Sequence, residues 1–420
     1  MNGLLLFLLG LWGFGDTVAG DGVVALRAAK ILTCADGVGA VDDGVVVFEA
    51  GLITAVGPVG SVAIPEGAEV IDLGDAWLVP GFVDLHCHVG GSMGDINDSI
   101  NPANPGLRTW DFVDPGNPQL ERGLAGGVTT VLFIPGSGTN MGGFGTLMKT
   151  TGRTVEDMTL RRSADGLPLP GAVKVAQGGN NPRRREGGIG LGPMGMCWLL
   201  RETLKDGRDY AAEWAAWEAG DRSERPERSA SLDYMRGLFD KTVPVALHSQ
   251  RFRTVQMTAR MMVDEFDLWT ILDHSTFDGW KNAPLYVERD LYVIHGPRTF
   301  DPGAIRWEGR MVGTAAGWFD GGVEKLGINT DSPVVPQEDL FLQAAMSERL
   351  GLDAQAAVKA LTIMPARAIG LGDRLGSIEA GKDADLVVFS GSPLDARSYV
   401  RSTWVNGQLA YDVARDGQRH

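Results

Sequence analysis

Residues 76–91 read AWLVPGFVDLHCHVGG. Apolar residues framed by Pro80-Gly81 on one side and Gly90-Gly91 on the other describe a short buried strand. On a strand, residues two apart point the same way. His86 and His88 therefore leave its C-terminal end together, and Cys87 faces away. Side-by-side imidazoles are poor core material but a good beginning for a divalent-metal site. A hydrogen-bonded structural pair is the competing account. A His-x-His at a strand end, followed at once by glycines, favours the metal.

The chain around this stretch has 420 residues, room for a barrel of roughly 250 residues plus a smaller domain. With 44% hydrophobic and 22% charged residues, it has ordinary globular composition. A net charge of -15 argues against a nucleic-acid partner, which would need Lys and Arg surfaces. The charge suits solubility, and a small molecule is the expected partner. Cys34, Cys87 and Cys197 are too few and too scattered for a disulfide framework. The block 3–14 is apolar and small residues follow it, as in a signal peptide cleaved near Ala19, yet no Lys or Arg precedes it. Exported and cytoplasmic locations both stay open. The block is too short to span a bilayer, and no integral membrane segment is expected elsewhere.

From 23 to 79 the pattern is short strands, at 23–32, 44–49, 52–56 and 69–72, with turns at Asp42-Asp43, Gly57-Pro58 and 65–67. The far end has the same character. Segments 385–390 and 399–405 alternate like strands, and Asn406-Gly407 is a strong hairpin turn. The two ends are expected to form one small β-sandwich around a central insertion. LVPGFVDLHCHVG at 78–90 and GSIEAGKDADLVVFSGSP at 376–393 resemble the amidohydrolase superfamily. The nearest branch is that of imidazolonepropionase-like enzymes and prolidase-type metallo-dipeptidases. The resemblance runs from about residue 23 to about residue 412.

The middle alternates strand-like and helix-like segments, which favours a parallel α/β architecture. The strand-like ones are GVTTVLFI (127–134), GAVKVA (171–176), VPVALH (243–248), WTILDH (269–274), LYVIH (291–295) and LGINTD (326–331). The expectation is a (β/α)8 TIM-like barrel over 80–372, a β-sandwich from 21–79 plus 373–415, and a leader over 1–20. Such a barrel keeps its chemistry at strand C-termini. Polar residues recur there: His248, His274 and Asp331 each close an apolar run, and Lys174 sits near the end of another. A lysine inside a buried strand is costly unless paired or modified. Each residue has a structural alternative: a satisfied core histidine, an ion-paired lysine or, for Asp331, a helix N-cap. Their recurrence at strand ends is hard to explain without a metal.

Carried across by the resemblance, His86, His88 and Asp331 would hold one metal, and His248 and His274 a second. Lys174, carboxylated to a carbamate, would bridge them. Nitrogen and carboxylate ligands with an open position suit Zn²⁺, and Mn²⁺ or Fe²⁺ would also fit. A water acidified by such a site attacks an amide-type carbonyl. Asp331 then carries the proton to the departing nitrogen. Three further residues are candidate substrate contacts: His295, Arg298 behind it, and Asn140 in the glycine-rich stretch 134–145. Cationic residues hold a substrate carboxylate in the prolidase-like branch, which points to Arg298. Loops 90–117 and 178–228 are expected to shape specificity, the second carrying Arg183, Arg184 and Arg185. A helix over 210–227 would cover the mouth or meet a second subunit in a homo-oligomer. Three alternatives stay open: a mononuclear cyclic-amide hydrolase with unmodified Lys174, a deaminase, and an inactive barrel scaffold. A scaffold should have lost ligands, and all six matching positions are filled.

Overall fold

The computed structural model describes residues 22–163, 166–177, 192–297, 299 and 306–418. The alternating segments near the start form β1 (Val24–Ile31), β2 (Val41–Glu49), β3 (Leu52–Pro58), β4 (Glu69–Asp72) and β5 (Trp77–Pro80). The chain then passes into a second sheet through Gly81, where a Cβ would lie 2.2 Å from the Thr129 hydroxyl. That second sheet contains β6 (Phe82–Cys87), β7 (Val128–Phe133), β8 (Met141–Lys149), β9 (Ala172–Ala176), β10 (Val245–Ser249), β11 (Thr270–His274) and β12 (Tyr292–His295). A short hairpin, β13 (Arg306–Trp307) with β14 (Arg310–Met311), precedes its last strand, β15 (Leu326–Ile328).

The order in this sheet is β15-β12-β11-β10-β9-β8-β7-β6. Its ends meet just beyond β15, where His88 N donates to Ser332 O at 2.8 Å and Cys87 bridges Ser332 in parallel. This is the expected eight-stranded barrel, with helices between the strands. Val83, Leu85, Leu132, Ala246, Ile271 and Ile294 fill its interior. Leu272 and Val293 face outward and pack among helix residues such as Val255 and Tyr286.

One strand departs from the all-parallel expectation. β8 runs antiparallel to both β7 and β9, where the sequence reads as the end of a loop. Gly142, Gly143 and Gly145 mask it, because glycine is depleted in strands. Gly143 is needed there: its φ is +114, and a Cβ would come within 2.6 Å of the Leu107 carbonyl oxygen.

The chain ends return as β16 (Leu386–Phe389), β17 (Val400–Val405) and β18 (Gln408–Asp412). They extend the first sheet to β18-β17-β16-β5-β1-β2-β3, with β4 also on β1. Asn406 and Gly407, with φ of 49 and 72, make the expected hairpin turn. Phe48 on β2 and Trp404 on β17 meet edge to face at 5.6 Å, although β16, β5 and β1 lie between their strands. The sandwich of the sequence reading is therefore one sheet curled on itself, closed around Leu26, Phe48, Leu78, Leu386 and Trp404.

The helix expected over 210–227 instead spans Pro193–Glu218, with Pro193 in its first turn, where no backbone N–H is required. Trp214 on it is buried and packs on Trp217 at 5.6 Å. The leader reading over 1–20, the arginines 183–185 and Arg298 lie outside the described residues. No helix among the described residues is long and apolar enough to cross a membrane.

Candidate functional site

The C-terminal ends of β6, β9, β10 and β11 and the turn after β15 bring six polar side chains together. On β6, pairing with β7 shifts register between Asp84 and Cys87. A bulge of this kind re-aims side chains. His86 and His88 both turn inward, ring centroids 5.2 Å apart, while Cys87 joins the outer core. His274 lies 4.3 Å from both His86 and His248 by ring centroids. Lys174 Nζ is 2.7 Å from His86 Nε2. Asp331 Oδ1 is 3.0 Å from His88 Nε2 and 3.5 Å from His86 Nε2. Ligand atoms of His86, His248 and His274 lie within 4.8 Å of one another, and so do those of His86, His88 and Asp331.

Burial dominates the electrostatics. Desolvation, with the charge of nearby Lys174 adding to it, holds the His86 and His248 imidazoles well below their usual range. It brings His274 down to about 4 against the opposing Asp331 charge. These rings are neutral near pH 7, the form that offers a lone pair. Desolvation also brings Lys174 down to about 8, with Asp331 and Asp273 opposing. Burial alone would raise the Asp331 carboxyl, but His274, His88 and Lys174 outweigh it and hold it below the ordinary carboxylate range.

The donor set fits a divalent cation on a structural observation. Both ring nitrogens of His248 and Nε2 of His274 are buried without a hydrogen-bond partner. Orphaned buried polar atoms are rare and costly. A metal ion would satisfy His274 Nε2 together with one nitrogen of His248.

The remaining sequence candidates fall elsewhere. His295 pairs in register with His274, but its Nε2 meets the Thr314 hydroxyl at 2.8 Å, at the start of the outer helix Thr314–Asp320. Asn140 is buried, and its backbone ties Pro102 to β9: its N–H donates to Pro102 O, and Ala176 N–H donates to its carbonyl, both at 2.8 Å. The loop after His88 lines a cavity of about 470 Å³ with Asp95, Asn97, Asp98, Arg108 and Asp111, closed by Pro135 and Gly142.

Two carboxylates in or beside the cluster were not singled out from the sequence. Asp273 Oδ2 lies 2.7 Å from His86 Nδ1. Asp84 accepts the His86 N–H at 3.1 Å, the Thr330 hydroxyl at 2.5 Å and Gln337 Nε2 at 2.6 Å, tying β6 to the residue before Asp331. Burial pushes the Asp84 carboxyl up to about 7, with those hydrogen bonds opposing. Strand alternation held the available signal: each is a charged residue on a strand with no exposed face.

Comparison with known proteins points to one family. A model described as "Amidohydrolase family" matches residues 335–411. Amidohydrolase tasK of Hapsidospora irregularis is 27% identical over 405 residues, covering 88% of this chain; the chain spans 40% of that relative's length. An imidazolonepropionase of Mesorhizobium japonicum is 25% identical over 408 residues, covering 88% of this chain and 92% of its own. The crystal structure of an amidohydrolase from Thermotoga maritima superposes with a TM-score of 0.81 at 29% identity, covering 93% of this chain and all of that one. Family match, relatives and barrel all point to the amidohydrolase superfamily.

Proposed function

We propose that the protein hydrolyses an amide or peptide-like C–N bond of a small molecule with two divalent metal ions. The observation that carries this reading is the set of buried, unpartnered nitrogens on His248 and His274 facing His86, His88 and Asp331. His86, His88 and Asp331 would hold one ion, and His248 and His274 a second. Lys174 as a carbamate would lie between them. Zn²⁺ matches this donor set, and Mn²⁺ or Fe²⁺ is compatible with it. When bound, a divalent ion supplies an acidified water and polarises a carbonyl oxygen.

The rest of the chemistry falls to the chain. Asp331 is held between the two imidazoles of the His-x-His, so its carboxylate has a fixed position. It accepts the proton released as the water attacks and returns it to the departing nitrogen, which leaves poorly as an anion. The buried walls exclude bulk solvent and strengthen each of these interactions. Substrate selection belongs to the loops, with the cavity under residues 94–112 as the candidate subsite.

A second reading has its own observation. The 2.7 Å contact of Lys174 Nζ with His86 Nε2 suits an unmodified lysine and hence a single-ion, cyclic-amide hydrolase. Elemental analysis of purified protein, with ¹³C NMR after ¹³CO₂ exposure, separates the two. Two ions per chain and a carbamate resonance are expected for the first; one ion and no resonance select the second. Dipeptides, N-acyl amino acids and cyclic amides then define the substrate. Asp331→Asn should lower kcat on any hit by about 10²- to 10⁴-fold. Full activity in that variant would remove Asp331 from proton transfer.

A further inference from the structure

The mechanism above leaves one buried carboxylate of the cluster unused. We propose that Asp273 is a positioning residue that fixes which nitrogen of His86 faces the cluster, an assignment that rests on the metal reading of the same site. Three rings of the cluster share one arrangement. His88 Nδ1 meets the Ile134 carbonyl oxygen at 2.7 Å, and His274 Nδ1 meets the Gly296 carbonyl oxygen at 3.0 Å. A carbonyl only accepts, so Nδ1 carries the proton in both and Nε2 keeps its lone pair. His86 has the same pattern with a carboxylate in place of the carbonyl: Asp273 Oδ2 lies 2.7 Å from Nδ1, and Nε2 faces Lys174 and Asp331.

Asp273 thus differs from the other two partners in offering a side-chain carboxyl group instead of a backbone carbonyl. Its second oxygen, Oδ1, is buried without a hydrogen-bond partner, so among the described residues His86 is its one donor. The pairing locks the ring's rotation and tautomer and raises the donor strength of Nε2. Loss of such an outer partner commonly weakens metal binding by about 10- to 100-fold.

The test uses the full-length protein, freed of metal and then titrated with Co²⁺ against a competing chelator. In wild type, ¹⁵N-histidine NMR of the metal-free protein should show His86 protonated at Nδ1. Asp273→Ala should populate the second tautomer and lower Co²⁺ affinity by about 10- to 100-fold. Asp273→Asn keeps shape and an acceptor; it should retain the tautomer and more of the affinity than Asp273→Ala, and serve if the alanine variant does not fold. Wild-type tautomer and affinity in folded Asp273→Ala would overturn the assignment, as would a shifted tautomer in Asp273→Asn with wild-type affinity. If wild type binds no Co²⁺, the metal reading fails and the assignment to a metal site goes with it. A tautomer shift in Asp273→Ala would then still establish the Asp273–His86 pairing by itself.

Discussion

His274 and His295 end neighbouring strands opposite one another in register, yet only one of them joins the cluster. Ile271 and Ile294 fill the barrel, so alternation turns both histidines outward. His274 escapes through a left-handed backbone, with φ of +71 continued at Ser275 with +58. That conformation costs roughly 1–2 kcal/mol for a residue with a Cβ. Strain of this size persists where surrounding structure enforces it, often at functional sites. His295 keeps to the alternation and meets Thr314. Burial lowers its imidazole from 6.5 to about 3. Between those values the unfolded chain binds a proton that the folded chain does not. This group's stabilisation is therefore complete above pH 6.5 and is lost as pH falls toward 3, by up to about 1.4 kcal/mol per pH unit. His295→Gln should remove that increment. Urea unfolding from pH 7 to pH 4 would then give a shallower acid limb than wild type; superimposable limbs would mean that the imidazole titrates as it does in water.

The elements that hold the candidate site were legible because each is an apolar run closed by one polar residue. β9, β10, β11 and β12 fall within a few residues of their expected positions for that reason. The features missed were those with no sequence period: the β6 bulge, the left-handed turn at His274, and β8 among its glycines. β8 also carries a consequence of its reversed direction. Its last residue, Lys149, pairs with Thr130 near the start of β7, at the opposite end of the barrel from the histidines. There the buried ammonium meets Asp383 at 2.9 Å and Asp385 more closely still, linking the barrel to the sheet made by the chain ends. Asp383 also accepts from Arg374 at 3.0 Å, whereas Asp385 has no second cation among the described residues. Lys149→Met should therefore leave buried negative charge uncompensated and cost about 3–5 kcal/mol in chemical denaturation. Adding Asp385→Asn should recover much of it. A loss below about 1 kcal/mol in Lys149→Met would show that water reaches this junction.

For the whole molecule, the sequence placed the candidate ligands at strand ends, and the expectation that they converge came from the barrel and the resemblance. Five segments spread from residue 86 to residue 331 meet only when the barrel closes, and closure depends on the bridge from Cys87 to Ser332. An unfolded chain holds these groups far apart and binds a cation weakly. A cation bound by the closed barrel must then stabilise it by mass action, with about 2.7 kcal/mol expected at a free concentration one hundred times the dissociation constant. Chelator-treated protein should unfold at lower denaturant than protein refilled with Zn²⁺ or Mn²⁺, and the gap should widen with metal concentration. His248→Ala should narrow it, since that buried ring offers a ligand nitrogen and has no hydrogen-bond partner at either nitrogen. Metal-free, the variant should lose less stability than with metal, because removing unsatisfied buried nitrogens offsets part of the cavity left by the ring. A smaller metal-free than metal-bound loss separates a ligand from a packing residue; equal losses in both states would make His248 part of the core and leave the second ion without a site.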